Sequence, residues 1–340
     1  MGTSVEPLID AFARRVRDLR ISVTDRCNLR CRYCMPAEGL DWLPRSELLS
    51  FEEITRIAQV CVERFGFDSI RLTGGEPTVR AHLPRLVAML SDLRRASGAG
   101  RRAVDLSLTT NGTTFALMAG DLRRAGLDRV NLSLDSLQRE RFVALTLRDS
   151  LHQVLEGIDA AVAAGFSPVK VNCVLMRGVN DDEIVDFAAF GRERGVTVRF
   201  IEFMPLDADG AWAADKVVPA DEVVAAIDAV FPLAPVGARG PDPADRYRYR
   251  DGEGEVGVIG SVTRSFCGAC DRVRLTAEGM FRNCLFAVQE TDLRAVLRDG
   301  GSDDDLAAAI AADVGRKWAG HSIGQVSFVR PTRSMSQIGG

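Results

Sequence analysis

The stretch LRISVTDRCNLRCRYC, residues 19–34, joins an alternating apolar and polar run to a loop that holds three cysteines. The alternation is typical of a half-buried β-strand, and we predict a strand over residues 19–23. Cys27, Cys31 and Cys34 follow this strand with C-x3-C-x2-C spacing. Because three thiols do not suit a framework of disulfide pairs, the stretch predicts a metal site at the end of the first strand.

Similar β-rich runs alternate with helical patterns through the first two-thirds of the chain. Further strands are predicted over 69–73, 104–109, 129–134, 169–175 and 196–203, and helices over 50–65, 83–95, 116–125, 150–164 and 181–194. Six consecutive βα-type units predict an α/β fold with a parallel sheet, which right-handed crossovers curl into an open or closed barrel. Functional residues are then expected at the carboxyl ends of the strands.

The pattern changes after about residue 215, which predicts two regions. Residues 1–215 form the βα region, and residues 216–340 form a C-terminal region with both helical and strand-like patterns. We expect a surface loop over 235–250, because this stretch is rich in proline, glycine and charge.

The composition is that of an ordinary soluble protein. A formal net charge of −4 in 340 residues gives no global attraction to nucleic acid or to an anionic membrane. The N-terminus lacks the pattern of a signal peptide, and no apolar run approaches the ~20 residues that span a bilayer. We therefore expect a cytoplasmic protein, in which thiols stay reduced and clustered cysteines are metal ligands.

A second cysteine triplet, Cys267, Cys270 and Cys284, has C-x2-C-x13-C spacing. Three thiolates in either triplet suit a 4Fe–4S cluster that keeps one iron open, and structural zinc completed by a distant fourth ligand is the alternative. The other two cysteines, Cys61 and Cys173, fit buried positions in a helix and a strand. Three arginines beside the first triplet are expected to lower its thiol pKa values: Arg26, Arg30 and Arg32.

Two further motifs accompany the triplets. GGEP, residues 74–77, follows the second predicted strand; its paired glycines permit close approach of a ligand to the backbone, and a tight turn is the alternative interpretation. In CDRVRL, Arg272 and Arg274 alternate with Val273 and share one face of a predicted strand. Two guanidinium groups beside a metal cluster form an anion site that suits phosphates, although a solvated edge strand shows the same alternation.

The first triplet, with Tyr33 directly before its last cysteine, and the GGEP motif together resemble the radical S-adenosylmethionine (SAM) superfamily. The resemblance implies that SAM chelates the open iron of a 4Fe–4S cluster on the first triplet, and that its cleavage gives a 5′-deoxyadenosyl radical. It also implies SAM contacts at four positions: Tyr33, Gly75, Ser133 and Met204.

Within that superfamily, residues 14–340 resemble the GTP 3′,8-cyclase family, also called molybdenum cofactor biosynthesis protein A. The resemblance rests on both triplets and on LTTNG, SLDS, FCGACDRVRL and the C-terminal Gly-Gly. It implies an incomplete (βα)6 TIM-type barrel, closed by the C-terminal α+β region, which carries a second 4Fe–4S cluster. The implied reaction is the first step of molybdenum cofactor biosynthesis. H-3′ is abstracted from GTP and C3′ bonds to C8, which gives (8S)-3′,8-cyclo-7,8-dihydroguanosine 5′-triphosphate.

The same resemblance implies roles for individual residues and partners. The implied GTP contacts are Arg20, Arg71, Thr109, Lys170, Arg272, Val273 and Arg274. The residues implied in catalysis are Arg20, Arg272, Arg274, Gly339 and Gly340, the last two as a tail that reaches into the active site. An external electron donor and transfer of the product to a cyclic pyranopterin monophosphate synthase are also implied, for a monomer or homodimer that binds neither nucleic acid nor membrane.

Two rival functions remain open from the sequence. A radical SAM peptide-modifying enzyme with an auxiliary cluster usually carries more C-terminal cysteines than the three found here. An electron carrier or a zinc-stabilised binding module needs neither GGEP, nor TTNG, nor a series of βα units.

Overall fold

The computed structural model describes residues 5–96, 104–207, 210–323, 325 and 328–339. Within these residues the strands are β1 Asp18–Ser22, β2 Ser69–Thr73, β3 Asp105–Thr110, β4 Arg129–Ser133, β5 Val169–Leu175, β6 Thr197–Glu202, β7 Leu233–Pro235, β8 Asp245–Tyr249, β9 Glu255–Ile259, β10 Arg272–Leu275, β11 Met280–Arg282 and β12 Thr291–Asp292. The helices are α1 Phe51–Phe65, α2 Leu83–Ala96, α3 Ala119–Arg124, α4 Arg139–Thr146, α5 Leu151–Ala163, α6 Ile184–Arg194, α7 Ala220–Asp228, α8 Leu293–Arg298, α9 Asp303–Gly315 and α10 Met335–Ile338.

All these strands belong to one mixed sheet with the order β12-β11-β10-β1-β2-β3-β4-β5-β6-β9-β8-β7. The central run from β10 to β9 is parallel, and the strands at both ends of the sheet are antiparallel. The predicted α/β class and the six predicted parallel strands are confirmed. Two strands of the C-terminal region, β9 and β10, extend this parallel run at its two sides.

Alternation along the parallel strands separates a core face from a polar face. On β1 and β2 the core face carries Leu19, Ile21, Ile70 and Leu72, all fully buried. Arg20 lies between the first two, so its side chain leaves the opposite face of the sheet. The alternating run of β1 therefore places apolar side chains on the face of the sheet that the helices cover and a cationic side chain on the opposite face.

Local capping signals explain where the first helix begins and ends. The Ser50 side chain accepts a hydrogen bond from the Glu53 backbone N–H at 3.1 Å, and the Glu53 carboxylate accepts from the Ser50 N–H at 2.7 Å. The helix ends at Gly66, whose φ of 68° is left-handed. The predicted helix over 50–65 is confirmed to within one residue.

One predicted loop is wrong. Strand β8 lies inside residues 235–250 and pairs with β7 and β9. The alternating DRYRY pattern, with Tyr249 buried, outweighs the proline, glycine and charge around it. No helix among the described residues combines the length and the apolar character that a membrane crossing requires.

Candidate active site

A cavity of about 680 Å³ lies on the polar face of the sheet, and the cysteines of both triplets line it. Its wall includes Arg272 and Arg274 on β10 and Ile259 on β9, which stand at the two sides of the parallel run. All eight cysteines are within the described residues and are free thiols. The cavity therefore presents two separate sets of thiol ligands to one enclosed space.

The first triplet occupies the loop after β1. Burial raises the pKa of Cys27 to about 11 and that of Cys34 to about 12, and it raises the pKa of Cys31 well above the usual range of a thiol. The charge of Arg30 acts to lower the pKa of Cys27, as predicted, but desolvation outweighs it, so the predicted low pKa values of these thiols are wrong. Arg30 instead donates to the backbone carbonyls of Cys27 and Leu29, both at 2.8 Å. Thiols in such surroundings release their protons on binding a cationic metal centre.

The GGEP motif packs directly against the loop that carries the first triplet. A Cβ on Gly75 would lie 2.5 Å from the backbone oxygens of Asp25 and Arg26, so only glycine permits this approach. Gly74 has a φ of 147°, and a Cβ there would lie 2.5 Å from the Thr24 oxygen. The two glycines thus allow the β2 loop to pack directly on the β1 loop.

Glu76 joins GGEP to TTNG. Its side chain is buried, and its carboxylate accepts from the Thr110 hydroxyl at 2.7 Å and from the Asn111 N–H at 2.6 Å. Asn111 in turn points its side-chain amide at the Cys27 sulfur, 3.8 Å away. Burial raises the pKa of Glu76, and these hydrogen bonds act in the opposite direction. Two motifs that looked independent in the sequence therefore form one polar network beside the first triplet.

Tyr33 and Asp135 form a buried pair on the wall near the same triplet. The Tyr33 hydroxyl donates to the Asp135 carboxylate at 2.6 Å, and the Val174 N–H donates to its other oxygen at 2.8 Å. Burial raises the pKa of Asp135 to about 6. Asp135 belongs to SLDS, residues 133–136, a motif in which only Ser133 is a predicted site residue. The four predicted SAM contacts all line the cavity: Tyr33, Gly75, Ser133 and Met204.

Strand register creates a row of cations across the cavity wall. Arg20 on β1 is level with Arg274 on β10 and with Arg71 on β2. The Nε atoms of Arg20, Arg71 and Arg272 are buried and have no hydrogen-bond partner within the part of the chain that is described. Burial lowers the pKa of Arg20 and Arg71, but guanidinium groups keep their charge in proteins. Buried guanidinium nitrogens without a hydrogen-bond partner indicate an anionic ligand.

Further along the wall, Lys170 and Arg199 add to this charge. Burial, and then the charge of Arg199, lower the pKa of Lys170 to about 8. Arg199 was missed in the sequence, although it occupies the polar position of the alternating run VTVRFIE on β6. Its Nε donates to the Asn172 side chain at 3.0 Å. Thr109, which the family resemblance predicts to contact GTP, also lines the cavity.

The second triplet has an electropositive environment, unlike the first. Burial alone would raise the pKa of Cys267, but hydrogen bonds from His321 and Ser265 lower it to about 6. The charges of Arg272 and Lys317 likewise overcome burial and lower the pKa of Cys270. In the described part of the chain, no three His, Cys, Asp or Glu side chains are grouped closely enough to hold a single metal ion. Three free thiols on each triplet, facing one cavity, have the donor chemistry of an iron–sulfur ligand set.

Two predicted site residues do not line the cavity. Val273 is fully buried in the hydrophobic core, so its side chain faces away from the cavity while its neighbours Arg272 and Arg274 face into it. Gly339 lies beside the cavity, where its carbonyl oxygen accepts a hydrogen bond from Arg274. Gly340 lies outside the described residues.

Comparisons with known proteins agree with this site. Residues 21–191 match the Radical SAM superfamily, and residues 196–323 match the family described as Molybdenum Cofactor Synthesis C. The chain is 48% identical over 339 residues to GTP 3′,8-cyclase 2 of Mycobacterium tuberculosis, covering 98% of this chain and 92% of the relative. It is also 48% identical over 339 residues to GTP 3′,8-cyclase of Corynebacterium glutamicum, covering 98% of this chain and 89% of the relative.

A solved structure supports the fold. Streptococcus suis SuiB bound to its precursor peptide SuiA superposes with a TM-score of 0.59 at 14% identity, covering 91% of this chain and 68% of SuiB. At this identity the likeness concerns the fold alone.

Proposed function

The chain belongs to the GTP 3′,8-cyclase family of radical SAM enzymes, and from this premise we propose that it cyclises GTP in the first step of molybdenum cofactor biosynthesis. The proposed product is (8S)-3′,8-cyclo-7,8-dihydroguanosine 5′-triphosphate. The observation that carries the proposal is the single cavity bordered by two thiol triplets and a row of buried cations between β10 and β2. The family resemblance predicted from the sequence is confirmed.

The proposed architecture is an incomplete (βα)6 barrel over residues 1–215, closed by the region 216–340. Support comes from the cavity wall, which combines residues of β9 and β10 from opposite sides of the parallel run. A flat sheet would keep these strands far apart, because neighbouring strands lie about 4.8 Å from each other.

At the first triplet, Cys27, Cys31 and Cys34 would hold a 4Fe–4S cluster that binds SAM. When bound, these groups would supply the radical chemistry that removes H-3′ from the ribose of GTP, with an external donor providing the electron. The protein's contribution is to place the ribose near SAM and to exclude water from the cavity. Tyr33, fixed by its hydrogen bond to Asp135, forms part of the wall that positions SAM.

The cation row would bind the triphosphate. Arg20, Arg71 and Arg274 share one level of the sheet, and Lys170 and Arg272 line the same cavity. Each charge attracts phosphate more strongly here than in water, because the buried site has a lower effective dielectric constant. With the phosphates on this wall, the guanine ring would extend toward Cys267, Cys270 and Cys284, which would hold the second 4Fe–4S cluster.

The peptide-modifying alternative has weaker support. The likeness to the peptide-bound SuiB structure is one of fold alone, whereas the relatives that share 48% of residues are named GTP 3′,8-cyclases. A buried row of arginines also suits a triphosphate better than a peptide backbone, since guanidinium groups pair with phosphate oxygens.

Anaerobic incubation with SAM, GTP and a strong reductant tests the proposal. We expect 5′-deoxyadenosine and a nucleotide of the same mass as GTP but with different chromatographic retention, because the product is an isomer of GTP. Formation of 5′-deoxyadenosine with all GTP recovered unchanged would contradict GTP as the substrate. The Cys27→Ala variant is the control, because it should form neither product.

A further inference from the structure

Lys317 is a buried lysine that the reaction described above does not use. Only three of the 43 basic residues in the chain are lysines: Lys170, Lys216 and Lys317. Lys170 lines the cavity, and Lys216 is exposed. Lys317, two residues beyond the end of α9, is only 4% exposed. A buried ammonium group requires hydrogen-bond acceptors around it, and their positions indicate what the residue does.

Three backbone segments, here called arms, carry the cysteines of the second triplet. The hydrogen-bond acceptors of Lys317 are backbone carbonyls in two of these arms. Its Nζ donates to the backbone carbonyl of Arg272 at 2.7 Å, two residues after Cys270. It also donates to the carbonyl of Asn283, directly before Cys284. One ammonium group therefore joins the backbone segments that carry two of the three cysteines.

The residues after Lys317 reach the third arm through Arg14. Arg14 is buried beside Asp10, which accepts from its Nε at 2.6 Å. Its Nη1 donates to the Cys267 carbonyl at 2.7 Å and to the Ala319 carbonyl at 2.8 Å, and its Nη2 donates to the Trp318 carbonyl. The N-terminal segment thus ties residues 318–319 to Cys267.

Gly320 completes the contact with Cys267, and His321 follows it on the cavity wall. A Cβ on Gly320 would lie 3.0 Å from the Cys267 Cβ, so a glycine permits the close approach. His321 lines the same cavity as Cys267, and its Nε2 lies 2.7 Å from the Ser261 carbonyl oxygen. We call residues 317–321, KWAGH, the strap, because they contact all three arms of the second triplet.

The charge of Lys317 also acts on the ligands. Its ammonium group donates to the carbonyls of Arg272 and Asn283, so a positive charge stands against the backbone two residues after Cys270 and directly before Cys284. A cation held beside a cluster stabilises the extra electron of the reduced form, and so raises the reduction potential of the cluster. Lysine suits this place because its compact ammonium group serves two carbonyls as a point charge.

We propose that the strap positions the second triplet, and that Lys317 both joins the Cys270 and Cys284 arms and raises the reduction potential of the cluster bound there. The proposal rests on the proposed function, because it requires a cluster on Cys267, Cys270 and Cys284. It concerns no step of the chemistry on GTP, and Lys317 acts only through the ligands.

The test is an EPR-monitored redox titration of the full chain, reconstituted anaerobically, in Lys317→Met and Lys317→Gln. Met removes the charge and the donors at similar length, and Gln keeps N–H donors without the charge. We expect a second-cluster potential lower by about 59 mV in both variants, which is a tenfold change in the ratio of reduced to oxidised cluster. The potential of the first cluster should not change.

Lys216→Met is the matched control. Lys216 is exposed, and its Nζ also donates to a backbone carbonyl, that of Ala211, at 2.8 Å. Both cluster potentials should be unchanged in this variant. Loss of the second cluster alone from Lys317→Met would also support the positioning role.

Two results would overturn the proposal. The first is an unchanged second-cluster potential in both Lys317 variants. The second is loss of both clusters from both variants, which would show that Lys317 serves the fold and not the triplet. A wild-type chain that binds only one cluster would contradict the proposed function itself, so the two failures are distinguishable.

Discussion

Arg274 donates a hydrogen bond from its Nη1 to the carbonyl oxygen of Gly339, 65 residues further along the chain. Arg274 is level with Arg20 on the cavity wall, and burial followed by the charge of Arg20 lowers its pKa. The C-terminal segment is therefore anchored to the same side chain that we propose to bind the triphosphate.

The first prediction concerns this anchored segment. Gly339 has a φ of 81°, and a Cβ there would collide with the Ser22 side chain. In Gly339→Ala the left-handed backbone alone costs about 1–3 kcal/mol, so the segment should leave its place while the remaining fold persists. We expect at least tenfold less cyclised nucleotide at an unchanged melting temperature.

The control for Gly339→Ala is Gly315→Ala at the end of α9, where an added Cβ meets nothing within 4 Å. This variant should retain full activity. Deletion of residues 339–340 should reproduce the loss seen in Gly339→Ala. A fully active deletion variant would show that the tail has no part in the reaction.

The second prediction concerns the first triplet. Cys27→Ala removes one of three ligands and should abolish SAM cleavage, measured as 5′-deoxyadenosine formed under reducing conditions. Cys61→Ala is the control, because Cys61 is fully buried in the core and does not line the cavity. It should lower stability slightly and keep cleavage. Undiminished cleavage by Cys27→Ala would refute the ligand assignment.

The third prediction concerns substrate affinity. Arg272 lines the cavity, and its Nε has no hydrogen-bond partner in the described structure, so Arg272→Ala should weaken GTP binding. A hydrogen bond to a charged group is worth about 1.5–3 kcal/mol, or roughly a tenfold to hundredfold rise in Kd. Calorimetry should show a much smaller effect on SAM. Equal losses for both ligands would indicate misfolding, and the exposed Arg139→Ala variant controls for removal of an arginine.

The fourth prediction concerns pH. Because burial and Arg199 lower the pKa of Lys170 to about 8, the free protein loses this positive charge as the pH rises from 8 to 10. The Kd for GTP should therefore increase with pH in this range, by up to tenfold per pH unit. Lys170→Arg should bind GTP with little pH dependence, since its guanidinium stays charged.

Folding stability offers a second measurement of the same group. The unfolded chain binds more protons at Lys170 than the folded chain between pH 8 and the ordinary lysine pKa near 10.5, so stability should increase with pH across this interval. Lys170→Met should lose this increase. A wild-type GTP affinity that is constant from pH 8 to 10 would contradict the assignment of Lys170 to the phosphates.

Features that depend on short stretches of sequence, such as strands and helix ends, could be predicted. Period-two alternation located the six parallel strands, and Ser50 and Gly66 located the ends of α1. The motifs at strand ends were placed together because parallel strands bring their carboxyl ends to one edge. Helix α4 was missed, since its eight residues are too short for a clear period.

What the sequence could not supply was register between distant segments. The level alignment of Arg20 with Arg274 depends on the pairing of β1 with β10, which lie more than 250 residues apart. Arg199 was missed because the alternation of β6 places its side chain on the polar face but does not show which residues surround it. Its neighbours across the sheet become known only from the strand pairing. The contacts of Lys317 could not be predicted either, because Lys317 donates to backbone carbonyls, which every residue has and which no sequence pattern marks.

The pairing of β1 with β10 has a consequence for synthesis of the protein in the cell. One edge of β1 is completed by β2, but the other must wait until residues 272–275 have left the ribosome. Until then the loop with Cys27 follows a strand that is paired on one edge only. The single cavity that both triplets line should therefore form only after β10 has been synthesised and has paired with β1.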